Sequence, residues 1–233
     1  MSATPAMAAH AWSNYHWART ANPFAVNLGD NVDATWDAYL ATASADWTNS
    51  AVMDTPIVPG ATTGRKCAAT RGRVEVCNAA YGRNGWLGLA SISLSGGHIV
   101  QGTAKMNDTY FATSTYNNPN ERLHVMCQEV GHDFGLSHTS EDGSSQNTCM
   151  DYFSNTGANA TSTASTHPNQ HDYDQLASMY AHLDATNTIQ SAQSTDPNAK
   201  PYKTERHDSR RESTIVETFA DDSKRITHIT WTT

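Results

Sequence analysis

"CQEVGHDFGLSHT", residues 127–139, sets a helix, its end and a reversal of the chain within one short stretch. It closes the longer run YNNPNERLHVMCQEVGH (116–132), whose apolar residues recur at helical intervals. Asn118 suits the N-cap of that helix, Pro119 its first turn and Glu121 the spacing of a capping box. Gly135 can take the left-handed conformation that ends a helix, so the chain is expected to turn there and bring His138 back. Gln128 and His132 are four apart and project from one face, about one turn from each other. The spacing therefore predicts that Gln128, His132 and His138 meet at one point.

Three neutral ligands on one side of a metal ion leave a fourth position open, the layout of a catalytic rather than a structural zinc site. Glu129, beside the first ligand and three before His132, is placed to take a proton from water activated by the ion and pass it to a leaving amine. The unusual member is Gln128. A carboxamide oxygen is a poorer donor than imidazole, so weaker metal retention is expected, but both ligands are neutral and the charge of the site is unchanged. His124 shares the face one turn earlier; about 12 Å of axial rise separates it from His132, too far to share an ion, so it reads as a supporting or surface group.

Working outward, PFAVNLGDN (23–31) alternates like a strand feeding a helix, and Val32, Trp36, Tyr39, Leu40, Ala43 and Trp47 form one helical stripe over about 32–49. GRVEVCN, GLASISL and HIVQGTAKMND, separated by Gly and Asn turns, predict a sheet of about four or five strands before residue 112. Residues 139–170 are rich in Ser, Thr, Asn and Gly and show no sustained period, which marks a long functional or mobile segment. A last helix has Leu176, Met179, Tyr180 and Leu183 on one face, with Asp172 and Asp174 at its start. SAQSTDPNAKPYKTERHDSRRES (191–213) reads as a solvated linker, and TIVETFADDSKRITHITWT (214–232) as a hairpin turning at 220–223, docked on the body or of separate origin. The fold class is α+β.

Net charge is −8, and residues 1–195 account for all of it, so no basic stripe of the kind phosphate backbones require is present and nucleic acid is excluded as an expected partner. Apolar runs are too short to span a membrane. The start MSATPAMAAHAW has neither the basic region nor the apolar core of a secretory signal. Four cysteines fall into two sets, Cys67 with Cys77 and Cys127 with Cys149, which favours two disulfides in an exported protein over buried free thiols. His98, His167, His171 and His182 have no partner at a ligand spacing and read as structural or exposed. SEDGSS (140–145) has the composition of a calcium loop without the ligand spacing of a known cage, so Ca2+ is a secondary expectation beside Zn2+.

QEVGHDFGLSH followed by CMDY (149–152) resembles the metzincin clan of zinc peptidases, with its H-E-x-x-H-x-x-G-x-x-H signature and methionine turn. GRVEVCNAAYG, GWLGLA, QGTAKMNDTYF and YDQLASMYAHLD are similar to a matrixin-like bacterial branch, so the resemblance covers about 20–189. It implies that His132 and His138 are metal ligands, Glu129 the general base and acid, Met150 the turn methionine, and Tyr152 an oxyanion-stabilising tyrosine, while Gln128 departs from the signature by standing where its first histidine would be. It also implies a Cys127–Cys149 bridge joining helix and turn.

The implied organisation is an N-terminal segment (1–20), an upper subdomain with sheet, backing helix and active-site helix (21–138), a lower subdomain with methionine turn and last helix (139–189), and a polar linker with β-hairpin tail (190–233). The implied function is that of a secreted, monomeric zinc endopeptidase. It would grip an extended peptide along the edge of one strand among residues 87–108. The alternatives are a metzincin-like module that binds peptides without cutting them, and, less favoured, a zinc amidase or esterase.

Overall fold

A computed structural model describes residues 10–189, 199–209 and 212–232. Its strands are β1 (His16–Trp17), β2 (Phe24–Ala25), β3 (Leu28–Asn31), β4 (Met53–Asp54), β5 (Ile57–Pro59), β6 (Val74–Ala79), β7 (Trp86–Ser95), β8 (His98–Asn107), β9 (Lys203–Asp208), β10 (Glu212–Thr218) and β11 (Lys224–Trp231). Its helices are α1 (Asp37–Thr48), α2 (Asp108–Phe111), α3 (Pro119–His132) and α4 (Gln170–Met179). The class is α+β. Nine strands make one mixed sheet in the order β5-β3-β6-β8-β7-β11-β10-β9, with β1 lying parallel to β8, while β2 and β4 pair separately.

Strands β3, β5, β6 and β8 run parallel, and β7 reverses against β8 through the Gly96–Gly97 turn. Val74, Val76, Ile92, Ile99, Ala104 and Met106 are withdrawn from water on this sheet, which α3 covers with α1 packed against α3. Trp47 of α1 packs on α3 and donates its indole N–H to the carbonyl of Cys127 at 3.2 Å. The two helices approach closely because Gly131 has no side chain: a Cβ there would lie 2.6 Å from both Trp47 and the sulfur of Met150.

Helix α3 begins as its sequence predicts, with the Asn118 side chain accepting from the Glu121 N–H at 2.9 Å and Pro119 in the first turn. The Glu121 carboxylate reaches across to the backbone N–H of Asn155 at 2.6 Å, tying the helix start to the irregular segment. Gly135 has φ +93°, and a Cβ there would lie 2.1 Å from the Tyr15 carbonyl oxygen, so the helix ends where expected. Cys67–Cys77 and Cys127–Cys149 are disulfides.

Three expectations need correction. Helix α1 starts at Asp37 rather than 32, because the Asp33 carboxylate accepts from the Thr35 N–H at 2.9 Å and holds a turn that competes with helix. Leu183 lies beyond α4 and is 55% exposed; the chain leaves the helix at Tyr180, whose carbonyl is taken by the Arg19 guanidinium. Residues 203–208 of the supposed linker form β9, polar on both faces and therefore without an apolar alternation to announce it. The expected tail hairpin forms and, of its two stated arrangements, is docked: β11 pairs antiparallel with β7 from Lys224 opposite Leu94 to Trp231 opposite Trp86, and β9 and β10 extend the same sheet. Residues 1–9 and 190–198, part of the expected N-terminal segment and linker, lie outside the described residues. Within the described residues no helix is long and apolar enough to cross a membrane.

Candidate metal centre

His132 ends α3 and His138 follows the turn at Gly135, and their Nε2 atoms face each other at 3.0 Å. Each ring is fixed from behind. His132 Nδ1 lies 2.8 Å from the Leu136 carbonyl and His138 Nδ1 lies 2.7 Å from a carboxylate oxygen of Glu212. Both acceptors call for a proton on Nδ1, which leaves a lone pair on each Nε2. Two lone pairs facing at that distance repel unless a proton or a metal ion lies between them. Ligand atoms of a tetrahedral zinc site, with bonds of about 2.1 Å, stand roughly 3.4 Å apart. The pair therefore fits a metal ion, and Nδ1 bonds to a carbonyl and a carboxylate are what orients metal-binding imidazoles.

Gln128 lies on the same helix, and its amide nitrogen donates to the carbonyls of Cys149 at 3.1 Å and Asp151 at 2.9 Å. Those bonds pin the nitrogen toward residues 149–151 and turn the oxygen the other way, where it accepts from Thr230 at 3.2 Å. The carboxamide thus presents its donor oxygen, the atom a cation would use. His124 is buried rather than superficial: its ring nitrogens meet Asn155 Oδ1 at 3.2 Å and the Asp151 carbonyl at 3.1 Å, so it supports the strap that holds Gln128.

Glu129 is fully buried against β7, with one oxygen accepting from the Thr230 hydroxyl at 2.7 Å. It fits because the opposing residue is Gly88, where a Cβ would fall 2.1 Å from that oxygen. Its other oxygen has no hydrogen-bond partner among the described residues. Burial pushes this carboxyl well up, the Thr230 bond opposes that, and the negative Glu212 adds to it. Burial likewise lowers His132 well below the usual imidazole range, helped by His228 and His138, so its ring is neutral and able to ligate. Met150 is buried beneath Gly131, where the sequence resemblance puts a turn methionine. Tyr152 stacks edgewise on His138, ring centroids 4.3 Å apart, and its hydroxyl donates to Glu212. Burial and the Glu212 charge hold that phenol protonated.

Three residues of the site escaped the sequence reading: Glu212, His228 and Thr230, all from the tail. Glu212 bridges His138 and His228, accepting from Tyr152 as well. Burial works against its charge, but the two imidazoles outweigh that and hold the carboxyl well below its usual range. His228 stacks between Trp12 and His132, at ring centroid distances of 3.6 and 4.3 Å, and its Nε2 has no hydrogen-bond partner among the described residues. One nitrogen each of His132 and His228 and one oxygen of Glu212 lie within 4.8 Å of one another. A usable signal existed for His228: it alternates in phase with Ile226, so it had to point inward if the strand docked. Glu212 gave none, since it sits in the polar run taken for linker.

The strand expected to receive a peptide is covered, because β11 fills the outer edge of β7. SEDGSS is a tight turn in which Asp142 accepts from the Ser144 hydroxyl at 2.6 Å, the Ser144 N–H at 2.8 Å and the Ser140 hydroxyl at 2.8 Å, which pushes its carboxyl down to about 2 and leaves the calcium expectation without added support. Compared with known protein families and with curated proteins, the chain finds no match, so the site geometry carries the functional reading.

Proposed function

We propose that this chain is an exported zinc endopeptidase of metzincin type, with His132, His138 and the Gln128 oxygen as metal ligands and Glu129 as the proton-transfer group. The observation that carries the reading is the pair of Nε2 atoms 3.0 Å apart, with an oxygen beside each Nδ1, one helical turn from the buried carboxamide of Gln128, whose oxygen meets Thr230. The mixed sheet, helices α1 and α3, the buried Met150 and final helix α4 agree with that arrangement, and the two disulfides agree with export.

Zinc, when bound, supplies Lewis-acid polarisation of a scissile carbonyl and acidifies water beside it. The chain's own residues do the rest. Glu129 accepts the proton of the attacking water at its carboxylate and delivers it to the leaving amine. Tyr152, beside His138, donates its hydroxyl to the oxyanion. The outer edge of β7 pairs with an extended substrate, its backbone groups giving affinity independent of side chains. In the described conformation Thr230 holds Glu129, Glu212 holds Tyr152 and β11 holds β7. The hairpin must leave for this chemistry to run.

The same contacts favour a second reading, a peptide-binding module whose site is permanently closed by its tail. An unstructured protein offered to the zinc-loaded full chain and to a chain ending at residue 200 decides between them. Cleavage by the shorter chain that disappears in Glu129→Gln supports the peptidase. Zinc that depends on His132, with substrate left intact by both forms, establishes the closed module.

A further inference from the structure

Away from that centre, four side chains from three separate parts of the chain converge on one point. His16 Nε2 lies 3.3 Å from Asp184 Oδ1 and 3.1 Å from His182 Nε2. His98 Nε2 lies 3.2 Å from the same oxygen, and His182 Nε2 lies 3.6 Å from it. The edges of a zinc tetrahedron with bonds of about 2.0–2.1 Å are roughly 3.3–3.4 Å long, close to the separations from Asp184 Oδ1 and between His16 and His182, and one nitrogen each of His16 and His98 lies within 4.8 Å of the other and of an Asp184 oxygen.

His16 Nδ1 lies 2.7 Å from the Asn14 carbonyl, the kind of contact that orients metal-binding imidazoles, and its Nε2 faces the carboxylate oxygen of Asp184. Asp184 is itself held in place, its second oxygen accepting from the Arg19 guanidinium at 2.8 Å and from the Arg19 N–H at 3.2 Å. The Oδ1 atom is thereby turned toward the three imidazoles.

The backbone builds this arrangement. In the β1–β8 pair His16 stands opposite His98. The segment after α4 is strapped to the same strand by Asp184 N–H to the Arg19 carbonyl at 2.9 Å and Thr188 N–H to the Ala18 carbonyl at 3.0 Å. His16 and Asp184 are nearly buried, at 10% and 9% side-chain exposure, while His182 at 55% leaves the cluster open to solvent. An ion has a route in, and its far side is anchored.

We propose that His16, His98, His182 and Asp184 form a second site for a divalent transition-metal ion, zinc being the ion tested, which clips β1, the β7–β8 turn and the segment after α4 together. Three imidazoles and one carboxylate suit a borderline cation rather than calcium or magnesium. The proposal does not depend on the peptidase reading.

The test uses the full chain carrying His132→Asn and His138→Asn, so that the other centre is out of play. Zinc is titrated against a chromophoric chelator, and cobalt is added separately to read coordination geometry. The expected result is one equivalent of zinc, a cobalt spectrum of tetrahedral strength, and loss of both when His98→Ala and His182→Ala are added. In the otherwise unsubstituted chain those two changes remove one equivalent of zinc, a comparison that stands even if the first variant folds poorly. Zinc binding unchanged by His98→Ala and His182→Ala overturns the proposal. So does a cluster that takes up protons as pH falls but no ion.

Discussion

Glu212 of β10 lies 2.7 Å from His138, though the two are far apart in the chain. The same carboxylate binds His228 and Tyr152, so one tail residue gathers three side chains of the site. A group so placed is the latch of the hairpin. The chain ending at residue 200 is expected to cleave an unstructured protein faster than the full chain, with its fold verified by circular dichroism. Glu212→Gln in the full chain is expected to move kcat/KM toward that of the shortened one, because a neutral amide gives up the charge that His138 and His228 stabilise. A folded, shortened chain with unchanged turnover would refute the hairpin as a cover.

The Gln128 oxygen is turned toward Thr230 by two bonds to its amide nitrogen. Gln128→His keeps the charge and improves the donor, so zinc affinity at the His132-dependent site is expected to rise on the order of tenfold, about 1.4 kcal/mol. Competition with a chelator of known affinity measures it. His228→Ala run in parallel tells whether the tail imidazole is also a ligand: a matching loss would assign the third position to His228 rather than Gln128.

Gly88 meets Glu129 at a distance that admits no side chain. Gly88→Ala is expected to cost about 1–3 kcal/mol of stability, the usual penalty for overpacking, and to displace the carboxylate. Because the displaced group is the proward end of proton transfer rather than a ligand, kcat should fall while zinc affinity stays within experimental error. Loss of zinc together with turnover would mean instead that the helix itself had shifted.

Much of this was legible in the sequence, for reasons that can be named. Asn118, Pro119 and Gly135 carry their conformational meaning locally, so the limits of α3 and the return of His138 follow from them alone. Cys67, Cys77, Cys127 and Cys149 pair as their spacing suggested. What stayed hidden depends on contacts between distant segments. His16, His98, His182 and Asp184 share no spacing, and only the β1–β8 pairing and the strap after α4 bring them together. Strand β9 has no apolar face because it covers nothing, and Glu212 begins a strand directly after a charged run, so neither shows a period.

The Cys127–Cys149 bridge joins α3 to the turn that carries Met150, closing a sequence separation of 22. Cys67–Cys77 closes a separation of 10 in the loop entering β6, far from the metal centre. Chain entropy assigns the two bridges similar worth, about 3 kcal/mol each, so replacing either pair by serine should lower Tm by a similar amount, roughly 6–12 °C for a chain of this size. Their effects on metal should differ. The Cys149 carbonyl is one of the two acceptors that orient the Gln128 amide, and freeing it from the helix loosens that ligand. Zinc affinity at the His132-dependent site is therefore expected to drop in Cys127→Ser/Cys149→Ser and to hold in Cys67→Ser/Cys77→Ser, read by chelator competition at a temperature where both variants are folded. Equal losses would show that the bridge contributes only general stability and that Gln128 is oriented by α3 alone.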